Sequence, residues 1–460
     1  MESKRYGIDL TQGRVNSVLL RFVWPFIAAN LVTALHGVIS MLVVGQFTDS
    51  VTLSGVANGT QIMFPPVAFI MGLGTGGTVL IGRSIGQKDK EAGTRAVGSF
   101  ACVSITLVVF LTLFVLLIRE PLLSVLKTPA EALASARRYV LLCTIGVPFN
   151  AAYGMICAVA RGMGNSKAPS VAAGISCAVN IALSLLLVGV FELAEAGVAI
   201  ATSAAQFVSF TYMALWIYNK KLPFPFSLKD VKADAKSVKF LLTVGFPLIL
   251  QELLISISFM VNTNRVNSLG VEASASVGVV SRLFNLAVVV PNSFGASISA
   301  MTAQNNGAGK RERAVMALRW GVLFSLIINL IFFLLCQFVP ESITSLFAKD
   351  PLIISGSANY LRSFSFEMLT IAASFCLNAY LSGCGKSSVS MWYVLASAFL
   401  VRVPLSIYIT GIAGLDLHTR LFYLGFASPT ASLLSMLCGL TFITWYNKKN
   451  VWGKPPTLTP

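Results

Sequence analysis

Long apolar runs separated by short polar loops occupy most of the chain. A helix needs about 20 apolar residues to cross the roughly 30 Å of bilayer hydrocarbon, and twelve runs are long enough. Several exceed this length, so we expect tilted or bent helices. The pattern predicts an all-α polytopic membrane protein. Its predicted spans are residues 17–47, 52–83, 95–118, 133–159, 168–191, 196–218, 239–268, 275–305, 314–338, 355–383, 388–412 and 420–447.

Basic residues favour one side of these spans. Most of the 34 Lys and Arg residues lie in the termini and in the even-numbered loops. Excess basic charge marks the cytoplasmic side of a membrane protein. Both termini are therefore predicted to be cytoplasmic.

The second half of the chain repeats the first. Three pairs of positions match at separations of 221, 221 and 222 residues, namely Gly86 with Gly307, Gly162 with Gly383, and Pro25 with Pro247. Six spans per half predict two six-helix bundles related by a pseudo-two-fold axis along the membrane normal. We assign residues 1–218 to the first bundle, 219–239 to a cytoplasmic linker and 240–460 to the second bundle. Transporters with parallel repeats move one half against the other, which favours alternating access.

Composition supports the membrane class and excludes several functions. Only 11% of the residues are charged and the mean hydropathy is +0.78, whereas soluble domains carry about 25% charged residues. The net charge of +16 does not indicate nucleic-acid binding, because the basic residues form short clusters between apolar runs. "GLGTGG" (72–77) lies inside a span without a neighbouring strand, so close helix packing explains it better than dinucleotide binding. The sequence shows no clustered set of catalytic residues of the kind that an enzyme would need.

Two carboxylates lie within predicted spans of the second half. Glu252 is in span seven and Glu367 is in span ten. An ionisable residue at membrane depth costs about 2.5–3.5 kcal/mol on insertion scales and is a functional hypothesis by default. Each carboxylate stands on a polar stripe, with Gln251, Ser256 and Asn262 in span seven and Thr370, Ser374 and Asn378 in span ten. We expect the two carboxylates to bind H⁺ or Na⁺; interhelical hydrogen bonding, with Arg402 as charge partner, is the alternative.

The first half has a polar notch without a carboxylate. His36 and Ser40 lie four residues apart in span one, and Asn180 and Ser184 lie four residues apart in span five. Residues with this spacing share one face of a helix. A neutral, hydrogen-bonded His36 is favoured over a titrating one.

Four stretches resemble the multidrug and toxic compound extrusion (MATE) family. They are "LVVGQFTD" at the end of span one, "RGMGNSKAP" after span four, "AQNNGAGKRERA" after span eight and "NAYLSGCGKS" after span ten. The resemblance covers nearly the whole chain and is closer to the DinF-like, Firmicute-type branch than to NorM. It implies a monomeric exporter of the bacterial inner membrane that needs no cofactor. Such an exporter exchanges amphipathic, usually cationic compounds for H⁺ or Na⁺.

The resemblance relates the polar notch of the first half to an ion-binding position of the family. Many relatives carry Asp at the positions of Ser40 and Ser184 and retain Asn180. Either ion coupling has moved to Glu252 and Glu367 in the second bundle, which we favour, or His36 is the titrating group. A flippase for a lipid-linked sugar of the same superfamily is the nearest rival function, although few arginines lie in the spans.

Overall fold

The structure is a computed structural model that describes residues 7–125, 128–220 and 222–450. Within these ranges the chain forms helices and loops, with no strand. Each predicted span of the first half is a long helix. The helices are α1 (Val15–Phe47), α2 (Ser50–Gln87), α3 (Lys90–Val125), α4 (Ala130–Gly162), α5 (Lys167–Ser184) and α6 (Ala194–Lys220).

The spans of the second half are more often interrupted. Its helices are α7 (Ala235–Asn267), α8 (Val271–Ala287), α9 (Val289–Gly307), α10 (Arg311–Phe338), α11 (Pro340–Thr344), α12 (Pro351–Phe364), α13 (Phe366–Gly383), α14 (Ser387–Ser397), α15 (Val403–Gly411), α16 (Leu417–Gly425) and α17 (Ala427–Asn450). Eleven helical segments of the described chain are long and apolar enough to cross a bilayer, and the pair α12–α13, bent by 44°, makes a twelfth. This agrees with the twelve predicted spans.

Local sequence explains where several helices begin and bend. Three aspartates accept hydrogen bonds from backbone N–H groups of the first helical turn. Asp49 accepts from Thr52, Asp350 from Leu352 and Asp416 from Thr419. Such caps satisfy N–H groups that a helix leaves unpaired. The hydrogen bonds from Thr52 lower the pKa of Asp49. Proline lies inside α1, α2, α3, α4 and α7, where it removes a backbone hydrogen bond and favours bending.

Two short π-helical segments interrupt the spans that carry the candidate polar residues. Leu185–Val190 follows α5, and Ala398–Arg402 connects α14 to α15. A π-helical turn widens the backbone and is frequent at functional sites. The first segment begins directly after Ser184, and the second ends at Arg402.

The chain forms two compact units. Of the described residues, the first unit contains those within 7–10 and 20–249, and the second contains those within 11–19 and 250–450. The core of the first unit includes Leu73, Phe100 and Leu241. The core of the second unit includes Leu361 and Leu424. Each unit therefore has its own apolar interior.

The described part of the basic segment between the halves packs within the first unit. Phe224 is buried in the core of that unit. The hydroxyl of Thr94 donates a hydrogen bond to the carbonyl of Pro225 at 2.7 Å. The assignment of residues 219–239 to a separate linker remains a prediction.

Small residues let α2 approach the first part of α7 closely. A Cβ atom added at Gly76 would lie 2.9 Å from the carbonyl oxygen of Leu241, and one added at Gly72 would lie 3.0 Å from the backbone nitrogen of Ile249. These neighbours are backbone atoms, so they cannot rotate away. The "GLGTGG" stretch therefore lies inside a helix and contributes to helix packing.

Gly76→Ala is expected to destabilise the first unit. The added methyl group would meet the α7 backbone, and overpacking of this kind costs about 1–3 kcal/mol. A lower melting temperature of the purified protein in detergent would show the effect. Gly278→Ala is the control, because a Cβ at that helical glycine meets no atom within 4 Å. Equal melting temperatures for the two variants would contradict the packing role of Gly76.

Candidate functional site

The polar notch of the first half is a hydrogen-bonded cluster. His36 Nε2 and Asn180 Oδ1 are 2.7 Å apart, and the Asn180 amide nitrogen donates to the Thr202 hydroxyl at 3.3 Å. The Ser184 hydroxyl also donates to Asn180 Oδ1, at 3.4 Å. Because this oxygen only accepts, His36 Nε2 carries the proton that it donates. The side chain of Ser40 lies outside the described residues.

This first-half cluster contains an imidazole, an amide and two hydroxyls. A neutral imidazole is sufficient for its contact with Asn180, because a single N–H group makes the hydrogen bond. None of the hydrogen-bond partners named here is a carboxylate. The cluster can hold water or a weakly bound cation, and the partners named here are neutral. Sequence patterns missed Thr202, which lies on α6 and is separated from Asn180 by 22 residues.

The polar stripe of span ten lies on α13 and packs against α17 and α14. The bend at Ser365 places Glu367 in the first turn of α13, not midway along one continuous helix as the span prediction implied. The Ser432 hydroxyl donates to Glu367 Oε1 at 2.7 Å. The Ser374 hydroxyl donates to the carbonyl of the same serine at 3.3 Å. Thus Glu367 and Ser374 both face α17.

Two other members of the α13 stripe have separate roles. The Thr370 hydroxyl donates to the carbonyl of Glu367 one turn earlier, at 3.2 Å. Asn378 accepts a hydrogen bond from the hydroxyl of Tyr393 on α14. These contacts match the hydrogen-bonding alternative for most of the stripe. Glu367 differs, because its Oε2 atom is buried without a hydrogen-bond partner among the described residues.

The stripe on α7 has two kinds of positions. Gln251 and Asn262 are buried, and Asn262 Oδ1 accepts a hydrogen bond from the Ser406 hydroxyl at 2.5 Å. Glu252 is exposed. The Ser256 hydroxyl donates to the backbone carbonyl of Glu252 at 2.9 Å. No described residue forms a hydrogen bond or an ion pair with the Glu252 carboxylate.

Arg402 is buried in the second unit at the end of its π-helical segment. Its guanidinium lies over the Phe259 ring, 4.5 Å from the ring centre. Nε and Nη1 are buried without hydrogen-bond partners among the described residues. Glu367 of the same unit is also buried. No nitrogen–oxygen pair joins these two described side chains within the 4.0 Å of a direct salt bridge.

The second unit thus brings together only part of the predicted site. Glu367 contacts Ser432 on α17, while Asn262 pairs with Ser406 on α15. The Glu252 carboxylate has no hydrogen-bond or ion-pair partner among the described residues. Sequence reasoning missed Ser406 and Ser432, although Ser406 follows Arg402 by four residues. Within the described ranges, no group of three or more His, Cys, Asp or Glu residues could hold a metal ion.

A protein-family comparison accounts for the whole arrangement. The MatE family model matches residues 25–186 and again residues 247–408. The chain belongs to the MATE family. Both matches begin and end 222 residues apart, which agrees with the internal repeat read from the sequence. This MATE protein is therefore a multi-pass membrane transporter and not an enzyme.

Known proteins of similar length support this assignment. The probable multidrug resistance protein YoeA of Bacillus subtilis is 24% identical over 438 residues, covering 93% of this chain and 94% of that protein. YpnP of the same organism, also a probable multidrug resistance protein, is 26% identical over 396 residues, covering 86% and 88%. A crystal structure of MATE in the straight conformation has a TM-score of 0.90 at 20% identity, over 96% of this chain and 99% of that one, and shows the same fold.

The family matches relate the polar residues of the two halves of this MATE chain. At an offset of 222 residues, Ser184 corresponds to Ser406 and Asn180 corresponds to Arg402. At the same offset Asn262 corresponds to Ser40, so the pair Asn262–Ser406 lies where the first half has Ser40 and Ser184, one helical turn from the pair His36–Asn180. The second unit therefore has a polar arrangement at the same place in the repeat, with a cation where the first has an amide.

Proposed function

We propose that this MATE transporter exports amphipathic cationic compounds from the cytoplasm by alternating access, in exchange for H⁺ or Na⁺. The proposal includes a monomer in the bacterial inner membrane with both termini cytoplasmic. Its support comes from the repeat, from the basic loops and from relatives that are named multidrug resistance proteins. The observation that carries the proposal is the presence of two carboxylates in the spans of the second half.

The repeat makes the position of these carboxylates informative. With the 222 residues that separate Pro25 from Pro247, the first-half counterpart of Glu252 is Asn30, and with the 221 residues that separate Gly162 from Gly383, the counterpart of Glu367 is Gly146. Neither counterpart carries a charge. A carboxylate can bind a proton or Na⁺, and it can also attract a cationic substrate. Mutually exclusive occupancy by ion and substrate is what an antiporter requires, and the second half is where this chain has the groups for it.

The first-half cluster is assigned a supporting role in this proposal. Its amide and hydroxyl groups can orient water or coordinate Na⁺ weakly, but they cannot provide the charge that makes coupling strong. Titration of His36 is the competing account. His36→Gln separates the two accounts, because glutamine can still donate to Asn180 but does not titrate. Export that loses its dependence on a pH gradient in this variant would favour His36 as the coupling group.

Reconstitution tests the function directly. The purified transporter is reconstituted in proteoliposomes with ethidium as a fluorescent cation. A Na⁺ gradient or a pH gradient, directed from outside to inside, is then imposed, one at a time. Ethidium movement driven by one of the gradients, and abolished when that gradient is collapsed, is the expected result. No gradient-driven movement, together with transfer of a labelled polyprenyl-linked sugar between leaflets, would instead support the flippase.

Ser184→Asp is expected to change the ion dependence of export. Ser184 is buried and donates to Asn180, so the substitution places a carboxylate beside an uncharged amide. A negative charge there can bind a cation that the native hydroxyl holds only weakly. Export rate as a function of pH and of Na⁺ concentration measures the effect. Ser184→Asn, of equal size and without the charge, is the control, and identical profiles for the two variants would mean that the notch is only a packing feature.

A further inference from the structure

We propose that Ser432 is a positioning residue for the coupling ion, because it holds one oxygen of Glu367 and leaves the other, Oε2, as the atom that binds the ion. This inference rests on the proposed antiport function, which counts Glu367 among the ion-binding carboxylates. It adds a residue of α17 to the ion site and explains how a buried carboxylate releases its ion in every cycle.

Two packed spans of the second unit are both interrupted close to Glu367. Span ten bends by 44° at Ser365, between α12 and α13, and span twelve is interrupted at Phe426, between α16 and α17. The interruptions pack against each other, since a Cβ atom added at Gly425 would lie 3.0 Å from the backbone nitrogen of Phe364. The corresponding spans of the first half, α4 and α6, are continuous helices. Interrupted spans form ion and substrate sites in secondary transporters.

Hydrogen bonds from a neighbouring helix fix the bend of span ten in place. The Gln337 side chain on α10 donates through Nε2 to the carbonyl of Arg362 at 2.7 Å and to the hydroxyl of Ser365 at 2.8 Å. Backbone groups at an interruption of a membrane span need such partners, because lipid offers none. The bend is therefore held by specific contacts, and it sets Glu367 in the first turn of α13.

The two carboxylate oxygens of Glu367 have different surroundings. The residue is 2% exposed, and its Oε1 atom accepts a hydrogen bond from the Ser432 hydroxyl at 2.7 Å. No group of the described chain donates to Oε2. Arg402, the counter-charge that we expect for Glu367, makes no direct salt bridge with it among the described residues. The carboxylate therefore has one oxygen that is engaged and one that can bind a cation.

Ser432 is itself held in position by α13. It is buried, and its backbone carbonyl accepts a hydrogen bond from the hydroxyl of Ser374 at 3.3 Å. Ser374 lies two turns beyond Glu367 on the same face of α13. The helix α13 therefore contacts Ser432 at both its side chain and its backbone. This double contact directs the Ser432 hydroxyl at Oε1 of the carboxylate.

The Ser432 hydroxyl competes with a cation bound to Glu367, because a hydrogen bond to a carboxylate stabilises its charged form. A hydrogen bond of this kind changes a binding equilibrium by about five- to tenfold. The hydroxyl therefore weakens ion binding at Glu367 and lets the ion leave. Without this donor, the buried carboxylate would hold H⁺ or Na⁺ more tightly, and slow release of the ion would limit each transport cycle.

Few other charges lie on the helices that pack against α13. The helix α9 contains no acidic or basic residue, and the charged residues of α10 lie in its first three turns. Arg362 on α12 pairs with Glu341 at 2.9 Å, and the two lysines of α17 are in its last turn. The other titratable side chains of α10, α12, α13, α14 and α17 are tyrosines and cysteines, which are ordinarily neutral near pH 7. The Ser432 hydroxyl and the expected counter-charge of Arg402 are therefore the groups that set the ion affinity of Glu367.

The ion dependence of export in proteoliposomes tests the role of Ser432. Ethidium export is measured at increasing H⁺ or Na⁺ concentration, with the ion whose gradient drives the wild-type protein. In Ser432→Ala, half-maximal export is expected at about five- to tenfold lower ion concentration, because the competing donor is gone. The maximal rate is expected to fall by a similar factor, since the ion leaves more slowly. Ser432→Thr keeps a hydroxyl and should retain the wild-type values.

A second readout measures ion binding without transport. In the Glu252→Gln background, Glu367 is the remaining carboxylate of the proposed site, and the coupling ion should raise the melting temperature of the purified protein. The ion concentration for half-maximal stabilisation should again be lower when Ser432→Ala is added. Ser435→Ala is the matched control, because it removes another buried hydroxyl of α17 that makes no hydrogen bond to Glu367 in the described chain. It should leave both readouts unchanged.

The direction of the change separates the outcomes. Loss of packing around α17 would raise the ion concentration that the protein needs, so an unchanged or higher requirement in Ser432→Ala overturns the inference. An effect of Ser435→Ala as large as that of Ser432→Ala also overturns it. Ser432→Cys, with a weaker donor, replaces Ser432→Ala if the latter does not fold. If the wild-type protein exports ethidium with neither gradient, the proposed function itself fails, whatever the variants show.

Discussion

Glu252→Gln abolishes ion-coupled export while the protein is still made and folded: this is the largest effect that we expect of a single substitution. Glutamine has nearly the same size and cannot bind H⁺ or Na⁺ through a negative charge. The native carboxylate is exposed and has no described hydrogen-bond partner, so little stability is lost. Coupling free energies of 1–3 kcal/mol correspond to about 5- to 150-fold, and a loss near the upper end is expected. Gradient-driven ethidium efflux in proteoliposomes and resistance in cells measure it.

A matched carboxylate provides the control. Glu312 in the first turn of α10 is also exposed, and Glu312→Gln makes the same chemical change at a helix end. We expect wild-type export from this variant. Normal resistance in cells that express Glu252→Gln at wild-type levels would show that Glu252 is not part of the coupling site. Normal resistance from the double variant Glu252→Gln/Glu367→Gln would refute ion coupling in the second half altogether.

Glu367→Gln should lose export by a different route, with a measurable loss of stability. We expect Arg402 to be the charge partner of Glu367, so the substitution would leave its buried guanidinium uncompensated, at a cost of about 3–5 kcal/mol. It also exchanges the carboxylate that accepts from Ser432 for an amide. We expect normal expression, a lower melting temperature and an export rate near background. Thermal unfolding in detergent and efflux in proteoliposomes measure the two effects separately.

Ser432→Ala is the control for the hydrogen bond alone. It removes the donor to Glu367 Oε1 and leaves both charges in place, so the cost should be closer to the 1 kcal/mol typical of one hydrogen bond. Equal destabilisation by Ser432→Ala and Glu367→Gln would mean that the charge of Arg402 does not need Glu367. The comparison therefore separates the charge of Glu367 from its contact with α17.

The identity of the chain as a transporter could be read from its sequence. Transfer of apolar residues into the bilayer depends mainly on composition and length, which are local properties. The twelve spans therefore follow from the apolar runs. The repeat can be read from matching positions such as Pro25 and Pro247. Glycine and proline have strong local conformational effects, so they mark equivalent turns and bends in the two halves. The MatE matches at residues 25–186 and 247–408 confirm the family that these motifs indicated.

The roles of the polar residues were less accessible. The helical spacing of the polar residues in span ten placed Glu367 with Thr370, Ser374 and Asn378 on one face. The structure has these residues together on α13. It did not reveal the bend at Ser365 or the packing of that face against α17. Backbone bending and helix rotation depend on neighbouring helices, which a single helix sequence does not specify.

The sequence by itself determined the class, the spans, the repeat and the two carboxylates, because hydrophobicity and helical periodicity are encoded within each segment. Only the tertiary structure decided the partners of those groups. Ser432 lies 65 residues from Glu367, and Ser406 lies 144 residues from Asn262. Contacts over such separations arise when helices pack, and packing buried Glu367 against Ser432 while it left Glu252 exposed.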